Sequence, residues 1–127
     1  MIISLGLDLC EVPRMRDLME RHGERFKVRT FSKAERAYCD KNADPAMHYA
    51  VRFAAKEAVA KALGTGFADG VSWQDIEVLR AKNGQPSIAL HHGAADKAKE
   101  LGITRVLVTL THTKEMAAAS VVAVGEG

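Results

Sequence analysis

Between Ile2 and Leu9 the chain alternates Leu5, Leu7 and Leu9 with Ser4, Gly6 and Asp8, the two-residue period of a half-buried strand that sets Asp8 opposite the leucines. The period then lengthens to that of a helix. Pro13 suits a first helical turn, and Met15, Leu18, Met19 and Phe26 mark one side of a helix running to about Arg25, with Arg14, Arg16, Arg21 and Arg25 on the rest of its surface. Ser32-Lys33-Ala34-Glu35 has the spacing of a capping box, which predicts a second helix to about Lys41. Asp44-Pro45 and Gly64 frame a third, about 19 residues and ~28 Å long. Along it Phe53, Glu57 and Lys61 share one face, while Val51, Ala54, Ala55, Ala58, Ala62 and Leu63 cover the core side.

Downstream, Ile76–Ala81 and Ser87–Leu90 flank Asn83-Gly84, a pair suited to the positive φ angles of a tight hairpin turn. Gly93–Leu101 is a short helix ended by Gly102, and Val106–Thr111 and Ala117–Val124 are two strands joined across His112–Met116. No repeat, linker or low-complexity stretch divides the chain, so residues 1–127 are read as a single domain.

Composition narrows the classes further. At 127 residues with 47% hydrophobic and 27% charged positions, the chain can build its own core, which excludes wholesale disorder and fibrous sequence. Cys10 and Cys39 are too few for a disulfide framework, and they read as small apolar fillers in a reducing compartment. The start carries no basic leader and no apolar run approaches the ~20 residues of a membrane span, so the expected location is cytoplasmic, without membrane partners. A formal charge of +2 and basic residues without interleaved aromatics place nucleic-acid binding last.

Chemistry gathers at three places. Asp8 is an acidic residue in an apolar strand, where it must find water, a donor or a cation. With Glu57 it offers two hard oxygen ligands of the kind that hold Mg²⁺ while leaving positions for water and phosphate, provided the strand end lies beside the long helix. Glu57 and Lys61 alone are also an ordinary i,i+4 surface pair. Gly64-Thr65-Gly66 either lets backbone N–H groups face phosphate oxygens or simply stops the helix. It lacks the spacing of a Walker loop, and no strand-linked Gly-x-Gly-x-x-Gly occurs. His91-His92 reads as a solvated helix start, and His112 either contacts phosphate or makes a local hydrogen bond in its turn.

Two stretches carry a resemblance: Gly6-Leu7-Asp8-Leu9-Cys10-Glu11-Val12-Pro13-Arg14, and Arg52-Phe53-Ala54-Ala55-Lys56-Glu57-Ala58-Val59-Ala60-Lys61-Ala62-Leu63-Gly64-Thr65-Gly66. Both resemble the holo-[acyl-carrier-protein] synthases, the small group of 4′-phosphopantetheinyl transferases. Gln74–Val78, Asn83-Gly84-Gln85-Pro86 and Thr109–Glu115 extend the likeness over nearly the whole chain in order. Cys10 stands where an aliphatic residue or threonine is common, and Gln85 where a basic residue is frequent, a change that weakens contact with the nucleotide end of the substrate.

The resemblance implies an α+β fold, an antiparallel sheet packed with a long central helix, one copy per chain. It further implies transfer of phosphopantetheine from coenzyme A to a serine of apo-acyl carrier protein, releasing adenosine 3′,5′-bisphosphate, in fatty acid biosynthesis. Asp8 and Glu57 would hold Mg²⁺, Lys61 would stabilise the leaving phosphate, and Glu57 would take the serine proton, with Glu35 as a second candidate base. Phe53, Lys61, Gly64, Thr65, Gly66, Asn83, Gly84, Pro86 and His112 would border coenzyme A. Arg14 and Arg21, with Arg16 and Arg25, would meet an acidic carrier. A single copy of the fold implies a homotrimer with sites at subunit interfaces. A non-catalytic trimer docking acidic proteins, and a metal-dependent hydrolase of nucleotide pyrophosphates, are the competing readings.

Overall fold

The computed structural model describes residues 1–126. In chain order these form β1 (Ile2–Glu11), α1 (Val12–Thr30), α2 (Lys33–Asp40), α3 (Pro45–Leu63), a 3₁₀ turn at Trp73–Asp75, β2 (Ile76–Arg80), β3 (Pro86–Leu90), α4 (His92–Glu100), β4 (Arg105–His112) and β5 (Met116–Val124). β5 runs between β1 and β4 in an antiparallel three-stranded sheet, and β2 and β3 form a separate antiparallel hairpin. The expected α+β fold with a long central helix is the observed one.

The alternation in β1 is real, but its faces are reversed relative to hydrophobicity. Gly6 and Cys10 point into the core with Asp8 between them, whereas Leu5, Leu7 and Leu9 are 66%, 61% and 59% exposed. The reason is α3, whose Ala58 lies so close that a Cβ at Gly6 would overlap the Ala58 carbonyl oxygen. A leucine on that face has no room, and small residues on both sides let strand and helix backbones meet. Ala54, Ala55, Ala58 and Ala62 of α3 pack there against Ala117, Ala119, Val121 and Ala123 of β5, all buried.

α1 runs past the expected end. Gly23 leaves the helical region at φ 52°, and helix resumes to Thr30 because the second segment brings Phe26 edge-on to Phe31, with centroids 5.9 Å apart. α2 begins with the expected capping box: the Ser32 hydroxyl accepts from the Glu35 N–H at 3.2 Å and the Glu35 carboxylate accepts from the Ser32 N–H at 2.7 Å. α3 has the expected limits and ends at Gly64 in the left-handed conformation, φ 77°. Asp44, however, does not cap it, because its carboxylate is bound by the Arg16 guanidinium at 3.0 Å. Both cysteines are buried free thiols, and burial pushes Cys10 up to about 11 and Cys39 up to about 12. Among the described residues no helix is long and apolar enough to cross a membrane.

Candidate active site

The close approach at Gly6 decides what stands beside what. Two residues along β1, the Asp8 carboxylate accepts from the Lys61 ammonium at 2.6 Å, and the same ammonium donates to the Leu7 carbonyl at 3.2 Å. Glu57, one turn earlier on α3, completes the group. Its carboxyl is pushed up to about 7, first by burial and then by the neighbouring Asp8 carboxylate, against the opposing pull of Lys61 and Arg14. Lys61 is held above the ordinary lysine range by Asp8. The expected juxtaposition of Asp8, Glu57 and Lys61 is therefore present within a single chain.

The other expected residues divide. Phe53 lies one turn before Glu57 and stacks on Trp73 with centroids 4.7 Å apart, and Trp73 stacks on Phe67 at 3.6 Å. Gly64, Thr65 and Gly66 directly follow α3, but their N–H groups donate back to the Ala60 and Lys61 carbonyls. The segment stops the helix, and what it offers a ligand in this arrangement is lack of bulk. Asn83 and Gly84 form the hairpin turn, with the Asn83 Oδ1 accepting from the Gln85 N–H at 2.9 Å and Pro86 opening β3. His112 ends β4 with its ring 6.4 Å from that of His48. No hydrogen bond or ion pair among the described residues joins this second group to Asp8, Glu57 or Lys61.

Glu35 is excluded as a base. Fully buried, its carboxylate accepts from the Ser32 and Val78 N–H groups at 2.7 and 2.9 Å and pairs with Lys56 at 2.8 Å, so it has no route to a substrate. Of the arginines, Arg14 is exposed and near enough to bear on Glu57, Arg21 pairs with Asp17 at 3.2 Å, and Arg16 is taken by Asp44. Sequence reasoning missed Lys56, Arg52, Trp73 and Phe67. The available signal was the stripe His48-Arg52-Lys56 at four-residue spacing, which reads as solvated until α2 and β2 cover it.

Comparison with known proteins bears directly on this geometry. Residues 4–119, which include Asp8, Glu57, Lys61 and His112, match the family model of the 4′-phosphopantetheinyl transferase superfamily. The chain belongs to this superfamily. As a 4′-phosphopantetheinyl transferase superfamily member it is 48% identical over 126 residues to a holo-[acyl-carrier-protein] synthase of Methylobacterium radiotolerans, covering 96% of this chain and 93% of that one. It is 49% identical to the enzyme of that name from Anaeromyxobacter sp., covering 100% and 99%. The crystal structure of the Neisseria meningitidis holo-[acyl-carrier-protein] synthase superposes with a TM-score of 0.89 at 32% identity, covering 97% and 98%. That of Helicobacter pylori, in complex with coenzyme A, gives 0.83 at 27% identity, covering 94% and 99%.

The chain is thus a transferase, and its carboxylates can be tested against a divalent cation. Asp8 and Glu57 are hard oxygen donors held together in a partly buried place, where burial first and the neighbouring Asp8 second push the Glu57 carboxyl up. Both facts fit Mg²⁺. Among the described residues no set of three or more His, Cys, Asp or Glu forms a metal site, so the protein would contribute two ligands and leave the others to water and substrate.

Proposed function

We propose that this chain is a holo-[acyl-carrier-protein] synthase, moving the phosphopantetheine arm of coenzyme A onto a serine of an apo-acyl carrier protein and working in the cytoplasm. The observation that carries the reading is the Asp8–Lys61–Glu57 group, set where β1 and α3 touch, in a chain of this superfamily. The serine Oγ forms a bond to the β-phosphorus as the bond from that phosphorus to the bridging oxygen breaks, and adenosine 3′,5′-bisphosphate leaves. Glu57, beside Asp8 and on the same helix face as Lys61, is the carboxylate placed to accept the serine proton. Lys61 carries its charge to the leaving phosphate. Asp8 orients that ammonium, and Asp8 and Glu57 together would hold Mg²⁺, which when bound neutralises charge on the pyrophosphate. Phe53, Trp73 and Phe67 form an apolar wall alongside for the pantetheine arm, and Arg14 extends the positive field toward an acidic carrier. Incubation with coenzyme A, Mg²⁺ and an apo carrier is expected to add the mass of phosphopantetheine to the carrier, and chelator is expected to stop it. Bisphosphate released without a carrier would instead make the chain a hydrolase.

The sheet face turned away from α3 supports assembly into a trimer. Leu5, Leu7 and Leu9 stand there, and the register sets Leu5 and Leu107 on either side of Val122, with β5 between them. Such an apolar stripe on a charge-balanced chain fits burial against further copies of itself. Sedimentation should give three times the chain mass, and Leu7→Glu should give a folded monomer with transfer reduced at least ~10-fold. An active monomer would remove the assembly from the proposal.

A further inference from the structure

β1 and α3 meet along a seam in which backbone touches backbone. Ser4, Gly6 and Asp8 share the inner face of the strand and engage the helix in turn. The Ser4 hydroxyl donates to the Ala62 carbonyl at 2.7 Å, Gly6 lies against the Ala58 carbonyl, and Asp8 takes the Lys61 ammonium at 2.6 Å. Two strand residues advance ~6.7 Å and four helix residues ~6 Å, so the two backbones, running in opposite directions, stay in step from Ser4 to Asp8.

The tightest point of the seam is Gly6. A Cβ there would stand 1.9 Å from the Ala58 oxygen, 2.8 Å from the Ala58 carbonyl carbon and 3.0 Å from the Val121 Cγ2, so any side chain forces strand and helix apart. Gly6 is not among the glycines with positive φ, so it is the close approach and not the backbone conformation that calls for glycine. This contact lies two residues from one carboxylate and next in sequence to the other. Asp8 follows Gly6 on the same face, Glu57 precedes Ala58, and the Glu57 carboxyl comes within hydrogen-bonding reach of Asp8. The strand is held on both sides of the contact, by Ser4 before it and by Lys61, which binds Asp8 and the Leu7 carbonyl, after it.

We propose that Gly6 is a positioning residue that holds Asp8 and Glu57 at the spacing of a small divalent cation, and so makes the site select Mg²⁺ over Ca²⁺. Mg²⁺ demands oxygens at ~2.0–2.1 Å in near-octahedral geometry, whereas Ca²⁺ takes more of them at ~2.3–2.6 Å in a looser one, so the width of the seam discriminates between the two. A methyl group at position 6 must move from 1.9 Å to at least 3.0 Å from the Ala58 oxygen, a larger change than the difference between the bond lengths of the two ions. The identity of the cation rests on the function proposed above; the contact at Gly6 does not.

Competition against Mn²⁺, which the same carboxylate and water ligands suit, tests the proposal without any transfer step. Mn²⁺ is added to the protein alone, the paramagnetic resonance signal of the free ion reports how much is bound, and Mg²⁺ or Ca²⁺ is titrated in. Binding should be lost in Asp8→Asn, which places the ion at the seam; binding that this variant leaves unchanged would overturn the proposal. On the unaltered protein Mg²⁺ should displace Mn²⁺ at a concentration at least ~10-fold below that of Ca²⁺. In Gly6→Ala, with circular dichroism showing the fold retained, that ratio should fall to unity or invert. Equal displacement by the two ions on the unaltered protein, or the same ratio in Gly6→Ala, would overturn it, because a glycine needed only for packing lowers stability and leaves the ratio where it was. Where Gly6→Ala does not fold, Ser4→Ala, which removes only the tie to Ala62, relaxes the same seam and should narrow the ratio by ~3-fold; an unchanged ratio there overturns the proposal equally. Carrier modification separates this from the reading on which it rests. The expected ion ratios with no carrier modified would remove the transfer and leave the role of Gly6, whereas modification supported alike by Mg²⁺ and Ca²⁺, with equal displacement of Mn²⁺, would remove Gly6 and leave the transfer.

Discussion

Glu57→Gln is expected to abolish carrier modification, lowering its rate by at least ~10³-fold, while the fold and its cooperativity are retained. The size follows from losing at once a general base, worth ~10²–10⁴-fold, and one of two anionic oxygens offered to the cation. Retention of the fold follows from what Glu57 costs. Its carboxyl is raised to about 7 by burial and by Asp8, which means that the ionised form is disfavoured in the folded protein. For an acid whose folded value lies above its unfolded one, the stabilising contribution is complete below the unfolded value and is lost as pH rises through the folded one. In chelator, the unaltered protein should therefore lose stability between roughly pH 4.5 and 7 relative to Glu57→Gln, and the variant should be the more stable of the two at pH 8. Urea unfolding at a series of pH values reads this directly. Substantial turnover by the glutamine variant would remove Glu57 from the chemistry, and a destabilised variant at pH 8 would contradict the environment described for it.

Lys56→Met is expected to be the most damaging single substitution for stability, costing ~3–5 kcal/mol, a large share of the ~5–15 kcal/mol that holds a domain together. Lys56 has no exposed side-chain surface. Its ammonium pairs with Glu35 at 2.8 Å and donates to the Trp73 carbonyl at 3.0 Å and to the Ile76 carbonyl, so one cation fastens α2, α3, the 3₁₀ turn and the start of β2. Burial pulls the lysine below its ordinary range, with Glu35 pulling it back. Methionine fills the volume but leaves a buried carboxylate without its cation and two carbonyls without a donor, the situation in which breaking a buried pair costs most. Adding Glu35→Gln removes the orphaned charge, so the double variant should be more stable than Lys56→Met alone. A loss below ~1 kcal/mol for the single variant in urea melts would show that the pair does not anchor these elements. Because Trp73 also stacks on Phe53, the tryptophan fluorescence of Lys56→Met should shift as well.

These two neighbours on α3 show how unevenly the chain declares itself. Glu57 and Lys61 were legible as a pair because four-residue spacing on a helix is geometry contained in the sequence. Lys56 and Arg52 were not, since a cation in an alanine-rich helix reads as solvated, and only the covering of that side by α2 and β2 makes it a core residue. The leucines of β1 misled in the opposite sense. Alternation is local and was correct, but which face is buried depends on the partner, and α3 approaches the face carrying Gly6. The Gly64–Gly66 segment showed its conformational freedom in the sequence, yet the direction of its N–H groups followed from the end of α3.

What the amino-acid sequence determined by itself was most of the elements: the capping box at Ser32, the 19-residue central helix between Asp44 and Gly64, the hairpin at Asn83-Gly84 and the final strand pair. Each of these rests on interactions between residues near in the chain, so short-range spacing encodes them. The tertiary structure alone decided that Asp8 meets Lys61 and Glu57, that Glu35 serves Lys56 and not catalysis, and that Arg52 lies buried without a counter-charge. These depend on contacts between distant residues, where burial and low polarisability set the energy of a charge, and neither quantity exists until the chain has closed around it.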